Sequence, residues 1–293
     1  MTAALVLRTP GVGELLTAVP ALRALSRGGL RVVLAVPEEL TELADLTGAV
    51  RAVLPTRGLE GLVWGGGRPT VAVNMYGPGP HSHRHLMDLR PQRLWAYTHP
   101  AFPRLKGPRW REHEHEVDRW CRLIEWYGAR ADPTDLMLPV PHCPNPAPGA
   151  ALIHPGGTDP AHRWPPERFA EVARALAADG MRVVVTGSQR ERPLALLVAT
   201  LAGVPAENVL AGRVSLRELC AAMAGAALLV SAHTGAAHLA TAYGVPSALV
   251  FGAESPRRWG PPPYLARHLT LTGEADARDV LTAVKKVLSA PVR

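Results

Sequence analysis

Cysteine is scarce in this 293-residue chain, with Cys121, Cys143 and Cys220 the only three. An odd number without paired spacing excludes a disulfide framework and a cysteine zinc cluster, and it fits a reducing compartment, so a cytoplasmic protein is expected. Long apolar runs are missing as well. The first, residues 3–7, is cut at once by Arg8 and a Gly/Pro turn, too short for the core of a signal peptide and without a basic stretch before it. No run approaches the ~18 apolar residues that a membrane span requires, so no transmembrane segment is expected. Nor is charge of one sign concentrated anywhere. The formal net charge of +7 comes from 17 Lys and Arg against 14 Asp and Glu in residues 1–150, and 15 against 11 in the rest. That is no basic tail or stripe of the kind that selects nucleic acid, and none is expected as a partner. The excess favours anionic small molecules or acidic acceptors and leaves peripheral contact with a membrane surface open. Repeats of solenoid length are absent too.

What remains is ordinary globular material, 47% apolar and 19% charged, in a chain too long for one hydrophobic core, which implies two domains. In the first half, β-branched runs at 3–7, 31–36, 51–54 and 70–74 alternate with helical patterns at 14–26 and 38–46. This is βαβα order and implies a parallel sheet with helices on its faces. The pattern weakens from 78 to 111 and resumes as a helix at 114–127, with Val117, Trp120, Cys121 and Ile124 on one side. Prolines 133, 139, 141, 144, 146 and 148 then crowd a stretch without apolar periodicity, which reads as a linker. The boundary placed there gives domains 1–145 and 146–293. The second half reads as strands at 151–154, 182–186, 208–210, 227–231 and 247–251. Helices follow Trp164 (started by Pro165 and Pro166, stopped by Gly180), the capping box Ser215 to Glu218, and Ala277, the last one free to pack back across the linker. The fold class expected is therefore α/β, with two Rossmann-like doubly wound domains facing a central cleft. Function belongs in the strand-to-helix loops at the strand carboxyl ends.

Three such loops carry chemistry. The first is Leu228-Leu-Val-Ser-Ala-His-Thr-Gly-Ala-Ala-His238, a buried strand turning directly into a helix of small residues. Thr234 suits an N-cap, and Gly235, Ala236 and Ala237 leave backbone N–H groups unobstructed, so a diphosphate would meet backbone donors, the helix dipole and His238. The same residues also fit close helix–sheet packing with His238 as a core histidine. The second is His154-Pro-Gly-Gly-Thr158 followed by His162-Arg163-Trp164, where Thr158, His162 and Arg163 could supply donors to phosphate oxygens; a turn needing two glycines is the plainer reading. After the next strand, Glu191 suits a ribose contact or, equally, a solvated first-turn glutamate. The third is Arg8-Thr-Pro-Gly-Val-Gly-Glu14, which would set the Glu14 carboxylate where a general base could take a proton from an acceptor hydroxyl; a helix-dipole glutamate is the alternative. Its G-x-G lacks the third glycine of a dinucleotide fingerprint. Histidines 81, 83, 85, 113 and 115 invite a metal reading, because alternate strand positions share a face, but no Cys or carboxylate completes a site. Exposed loop histidines near the acceptor side are expected instead, with no metal. Arg104, Lys106, Arg109 and Arg111, interleaved with Trp110, form a basic patch suited to solvent or to an anionic acceptor.

Taken in order, Gly13-Glu-Leu-Leu-Thr-Ala-Val-Pro-Ala-Leu22, His154-Pro-Gly-Gly157, Arg163-Trp-Pro165, Val185-Thr-Gly187, Leu210-Ala-Gly212 with Ser215-Leu216, and His233-Thr-Gly-Ala-Ala-His-Leu-Ala240 resemble the ADP-heptose:lipopolysaccharide heptosyltransferases of glycosyltransferase family 9. The resemblance implies a GT-B fold, inverting transfer without a metal or other cofactor, the acceptor on the N-terminal domain and the nucleotide sugar on the C-terminal one. Carried over by position, it implies Glu14 as catalytic base, where the family usually has Asp. Arg8 and Gly13 fall on the acceptor side. Thr158, His162 and Arg163 fall at the phosphates, Glu191 at the ribose, and His233, Thr234, Gly235, Ala236 and His238 at the diphosphate helix. His162 and His233 stand where the family commonly has Lys and Asp, which alters the charge beside the phosphates. The acceptor is then a hydroxyl of a glycolipid, saccharide or natural product. Two other functions share this architecture, a nucleotide-sugar epimerase that needs no acceptor and a non-catalytic homologue that binds a nucleotide sugar or a partner protein.

Overall fold

The computed structural model describes residues 2–157, 163–252 and 255–291. By its internal contacts the chain divides into two compact units, Met1–Leu138 and Pro139–Arg293.

The first unit is a parallel sheet of β1 (Thr2–Arg8), β2 (Leu30–Val36), β3 (Val50–Pro55), β4 (Val71–Met75) and β5 (Arg93–Trp95), in the order β3-β2-β1-β4-β5. The central strand β1 runs Ala4-Leu5-Val6-Leu7, all fully buried, because a parallel strand covered by helices on both faces has no wet side and needs no alternation. At the edge, β3 carries Arg51 and Pro55 and is mostly open, as an unpaired edge should be. Helices α1 (Val12–Thr17), α2 (Val19–Arg27), α3 (Thr41–Leu46), α4 (His81–Asp88) and α5 (Glu116–Trp126) accompany the sheet. The single helix expected at 14–26 is broken at Ala18, whose N–H bonds Leu15 O instead of continuing the ladder. Pro20, lacking an N–H, prevents an unbroken helix through this point. Residues 78–111, unreadable in sequence, contain α4 and the three-residue β5.

The second unit is a parallel sheet of β6 (Ala151–His154), β7 (Val183–Val185), β8 (Leu228–Ala232), β9 (Ser247–Phe251) and β10 (His268–Thr272), in the order β10-β9-β8-β6-β7. Its helices are α6 (Pro166–Ala178), α7 (Arg192–Ala202), α8 (Leu216–Ala224), α9 (Gly235–Tyr243), α10 (Pro256–Trp259) and α11 (Ala277–Ser289). Phe169, Val172, Ala173 and Leu176 of α6 join Ile153, Val185 and Val230 in one core, each large apolar side chain contributing about 1.5–3 kcal/mol on burial. The apolar face of α11 (Val280, Val284, Val287) lies in this same core. The capping box at Ser215 forms as read, Glu218 N donating to Ser215 Oγ at 3.2 Å and Ser215 N to Glu218 Oε2 at 2.7 Å.

A strand expected at 208–210 is not there. A 3-10 turn at Ala206–Asn208 and a left-handed Gly212 leave room only for a lone bridge, Val209 to Val185. With that strand the order would mirror the first unit; without it, β7 is the edge. The strand β10, unread in the sequence, closes the opposite edge.

In each sheet the chain reverses its winding once, between β1 and β4 in the first unit and between β6 and β8 in the second. Open α/β sheets bind ligands outside the strand carboxyl ends at such switch points.

Candidate functional site

At the first switch point, Arg8 ends β1 and points inward: it is 2% exposed. Its Nε donates to Glu14 O (2.7 Å), Nη1 to Met75 O (2.8 Å) and Nη2 to Thr17 Oγ1 (3.2 Å). Glu116 Oε2 lies 3.7 Å from Nη2, and the Trp120 ring lies 4.5 Å under the guanidinium. The acceptor-side role expected of Arg8 therefore meets a buried cation holding the protein's own loops. Gly11 starts α1 without a side-chain cap, at φ 142°, and a Cβ built there would collide with the Glu14 carboxylate, which curls back over it. Only glycine tolerates both that conformation and that neighbour. Glu14 is partly exposed and Gly13 is buried in the first turn.

The loop after β4 completes this end of the unit. Thr9 Oγ1 donates to Tyr76 O (2.8 Å), and the fully buried Asn74 accepts from Tyr76 N (3.0 Å) while donating to Ser82 Oγ and His83 Nδ1, both at 2.9 Å. His83 Nε2 faces Tyr97 O at 2.7 Å. A carbonyl can only accept, so Nε2 carries the ring proton and Nδ1 accepts from Asn74. Burial lowers the His83 pKa, so the ring is neutral. This corrects the reading of 81, 83 and 85 as exposed loop or strand histidines: they sit on α4, where alternate residues do not share a face, and His83 is core. Among the described residues no group of three or more His, Cys, Asp or Glu could hold a metal ion.

In the second unit the strand ends are laced together by side chains. His154 Nδ1 lies 3.0 Å from Thr186 Oγ1, joining β6 to the loop after β7. Ser231 Oγ lies 3.2 Å from both His154 O and Thr234 Oγ1, joining β6 to the turn after β8. Burial lowers the His154 pKa against the opposing pull of Glu191, so the imidazole is neutral. Gly157 is gripped twice: its N–H donates to Glu191 Oε1 (3.0 Å), and its carbonyl accepts from Arg163 Nε (3.0 Å) and Nη2 (2.7 Å). Glu191 Oε2 accepts from Ser188 N at 2.7 Å. Burial works to raise the Glu191 pKa, but the hydrogen bonds that the Ser188 and Gly157 amides donate to it favour the ionised carboxylate, and the net shift is downward. Glu191 is thus an ionised latch between two loops, and Trp164 anchors the far side through Nε1 to Ala275 O at 2.9 Å. Thr158 and His162 lie outside the described residues.

Helix α9 opens directly from β8. Thr234 is its N-cap, Oγ1 accepting from Ala236 N at 3.2 Å, and Ala237 N is taken by Thr234 O at 3.1 Å. The amides expected to be open at Ala236 and Ala237 are therefore occupied; those of Thr234 and Gly235 have no partner among the described residues. The first turn holds no acidic residue, as an anion site at a helix N-terminus requires. The His233 ring stacks on Phe251 (4.6 Å, 20°), with His238 at 5.7 Å and Trp259 at 6.1 Å. Burial lowers its pKa to about 4, so it stands beside the helix as a neutral group, and its buried Nε2 has no hydrogen-bond partner among the described residues.

The structure therefore gathers Arg8, Gly13 and Glu14 at the first switch point, and Arg163, Glu191, His233, Thr234, Gly235, Ala236 and His238 at strand carboxyl ends of the second unit. Sequence reasoning missed Asn74, Ser231 and Glu116. A signal existed for two of them: Asn74 and Ser231 are lone polar residues near the carboxyl end of otherwise apolar, fully buried strands.

The sequence profile of glycosyltransferase family 9 (heptosyltransferase) matches residues 131–285. A search of curated proteins gave no match. Among solved structures, a family 9 glycosyltransferase from Veillonella parvula DSM 2008 is similar with a TM-score of 0.81 at 18% identity, over 98% of this chain and 97% of that one. The E. coli ADP-heptose lps heptosyltransferase II gives 0.78 at 18% identity over 98% of each chain. E. coli heptosyltransferase WaaC, solved with ADP, gives 0.76 at 20% identity over 98% and 100%. These likenesses place the two doubly wound units in the GT-B fold. With more than half of its length matched by the family's profile, the chain belongs to glycosyltransferase family 9.

Proposed function

We propose that this glycosyltransferase moves a heptose from an ADP-linked donor to an acceptor hydroxyl on a glycolipid, saccharide or natural product, with inversion and without a metal ion. The observation that carries the reading is the head of α9: a capped helix start at a topological switch point, with the Thr234 and Gly235 amides without a partner among the described residues and no carboxylate in the first turn. There the leaving diphosphate gathers charge as the bond from the anomeric carbon to its oxygen breaks, and fixed amides with the helix dipole stabilise that charge. Glu14 takes the proton from the acceptor hydroxyl as its oxygen forms the new bond to the anomeric carbon. The likeness to a heptosyltransferase solved with ADP supports the nucleotide and the sugar. The Glu191 latch and the Arg163 grip on Gly157 hold the loop beside the phosphates in shape, and neutral His233 adds no negative charge there.

Calorimetric titration with ADP, GDP and UDP tests the donor site, and incubation with ADP-heptose followed by analysis of the sugar tests the reaction. ADP binding that is selective and is weakened by Thr234→Pro, with release of ADP and inversion at the anomeric carbon, is the expected result. Failure to bind any of the three diphosphates, or binding indifferent to Thr234→Pro, would sink the donor assignment. A donor converted to its epimer with the nucleotide still attached would make the enzyme an epimerase.

A further inference from the structure

Two of the three cysteines come together in the second unit, although 77 positions separate them in the chain. Cys143 Sγ donates to Arg217 O, in the first turn of α8, at 3.7 Å. Cys220 lies three residues further along the same helix. A helical side chain leans back over the preceding turn, onto the carbonyls three and four residues earlier, which directs Cys220 toward Arg217 O and Leu216 O. The two thiols therefore flank one peptide group. Tyr243, at the end of α9, meets them from a third side. Its hydroxyl is hydrogen-bonded to the Cys220 thiol and donates to Pro139 O at 3.4 Å. Burial, then the Cys220 and Cys143 sulfurs, raise the Tyr243 pKa against the opposing pull of Arg217.

The backbone around the pair is held in place. Cys143 N donates to Pro141 O (3.0 Å) in a turn, and Gly149 N donates to Gly225 O (2.9 Å) at the C-cap of α8. Between these points Asn145 packs so close to Gly225 that a Cβ built there would meet Asn145 Nδ2 at 2.3 Å. Residues 143–149 thus run beside α8 from its first turn to its end. A thiol already seated against the helix one turn from its partner can close the bond by rotation of the two side chains, without unwinding α8. Exposure divides the roles: Cys143 is half-buried and Cys220 buried, so a small oxidant meets Cys143 first and Cys220 stands behind it as the resolving thiol. Cys121 is set apart. It lies on α5 in the first unit, buried with Val117 and Leu136, and burial first, then the carboxylates of Glu125, Asp118 and Asp132, raise its pKa.

We propose that Cys143 and Cys220 form a redox modification site, at which a peroxide joins the two thiols as a disulfide that a dithiol reductant reopens. The Cys143 thiolate attacks one peroxide oxygen and the O–O bond breaks, leaving a sulfenic acid on Cys143 and a hydroxide. The Cys220 sulfur then attacks the Cys143 sulfur, the S–O bond breaks, and the two hydroxides leave as water with the two thiol protons. Two thiols are oxidised by two electrons and one peroxide is reduced to two waters. In a reducing compartment such a bond is transient and serves sensing, not scaffolding. The site is independent of the donor and base assignments.

The test exposes the folded full chain to hydrogen peroxide, quenches it, and counts free thiols after denaturation, with peptide mapping by mass spectrometry without reduction. The expected result is a fall from three free thiols to one, a cross-linked peptide pair joining 143 to 220 lighter by two hydrogens, an unmodified Cys121, and full recovery with dithiothreitol. Cys220→Ser should leave a Cys143 sulfenic acid that dimedone traps, and Cys143→Ser should keep both remaining thiols free. Three surviving thiols under conditions that consume glutathione, Cys143 over-oxidised to a sulfinic acid with Cys220 still free, or a cross-link between two chains would each overturn the proposal. The wild-type measurement needs no variant, so it stands even where a serine variant does not fold.

Discussion

At the switch point of the first unit, the turn from β1 to α1 opens on an uncapped glycine, carries a carboxylate on its first turn and is backed by a buried guanidinium beside the Glu116 carboxylate. At that of the second, the turn from β8 to α9 opens on a threonine cap, carries no acid and is backed by the rings of His233, Phe251 and Trp259. On the function proposed above, the same supersecondary unit serves opposite uses. A proton acceptor needs a side chain held at one angle, which calls for a fixed backbone beneath it. An anion site needs bare amides, which calls for small residues and the exclusion of negative charge. The contrast extends to acid sensitivity. Burial lowers the pKa of three histidines in the second unit, His154, His233 and His268, against His83 alone in the first among the described residues.

If that contrast is right, the largest effect falls on turnover. Glu14→Gln should lower ADP release from ADP-heptose by about 10²–10⁴-fold, the usual span of general base catalysis, and leave the ADP dissociation constant alone in calorimetry. Gly11→Ala should behave in the same way, at least about tenfold, because a side chain at φ 142° is strained and collides with the Glu14 carboxylate. The mirror experiment is Thr234→Pro, which removes a cap and an open amide together. It should weaken ADP about 10–100-fold, the worth of hydrogen bonds to a charged group. If the two turns are interchangeable in these assays, the division of labour is wrong.

A smaller effect separates the units by stability. The unfolded chain takes up a proton on His268 near pH 6.5, while the folded chain, where burial and then Arg267 disfavour the charged ring, does so only near 4. Stability present above pH 6.5 is therefore lost as pH falls through that window, about 2 kcal/mol from this residue by pH 5. Thermal unfolding followed from pH 8 to 5 should show the second unit melting first, and His268→Asn should flatten the dependence. The smallest effect lies away from both turns. Ser215→Ala, which deletes the α8 cap, should cost about 1 kcal/mol and leave ADP binding and turnover untouched.

Much of this was legible in advance because it is local chemistry. The apolar run of β1, the prolines opening α6, the capping box at Ser215 and the Thr-Gly start of α9 are each written in a few adjacent residues. Elements failed to read where the cause was distant or the segment short. The residues at 208–210 found no more than a lone bridge, and β5 has only three residues in a stretch without periodicity. His83 looked like a loop histidine because nothing nearby in sequence announces Asn74 and Tyr97 O as its partners.

The sequence by itself determined most of the strands and helices, several helix starts and the motifs that mark the family, because periodicity, caps and glycine requirements act over one or two turns of chain. Tertiary structure alone decided that Arg8 faces inward, that Glu191 is a latch, that His233 is neutral and that Glu116 comes close to Arg8. Charge state and partners depend on what burial removes and which groups replace it, and some of these are distant: Glu116 bonds Arg119 and Trp120 on its own helix but lies 3.7 Å from an arginine 108 positions away.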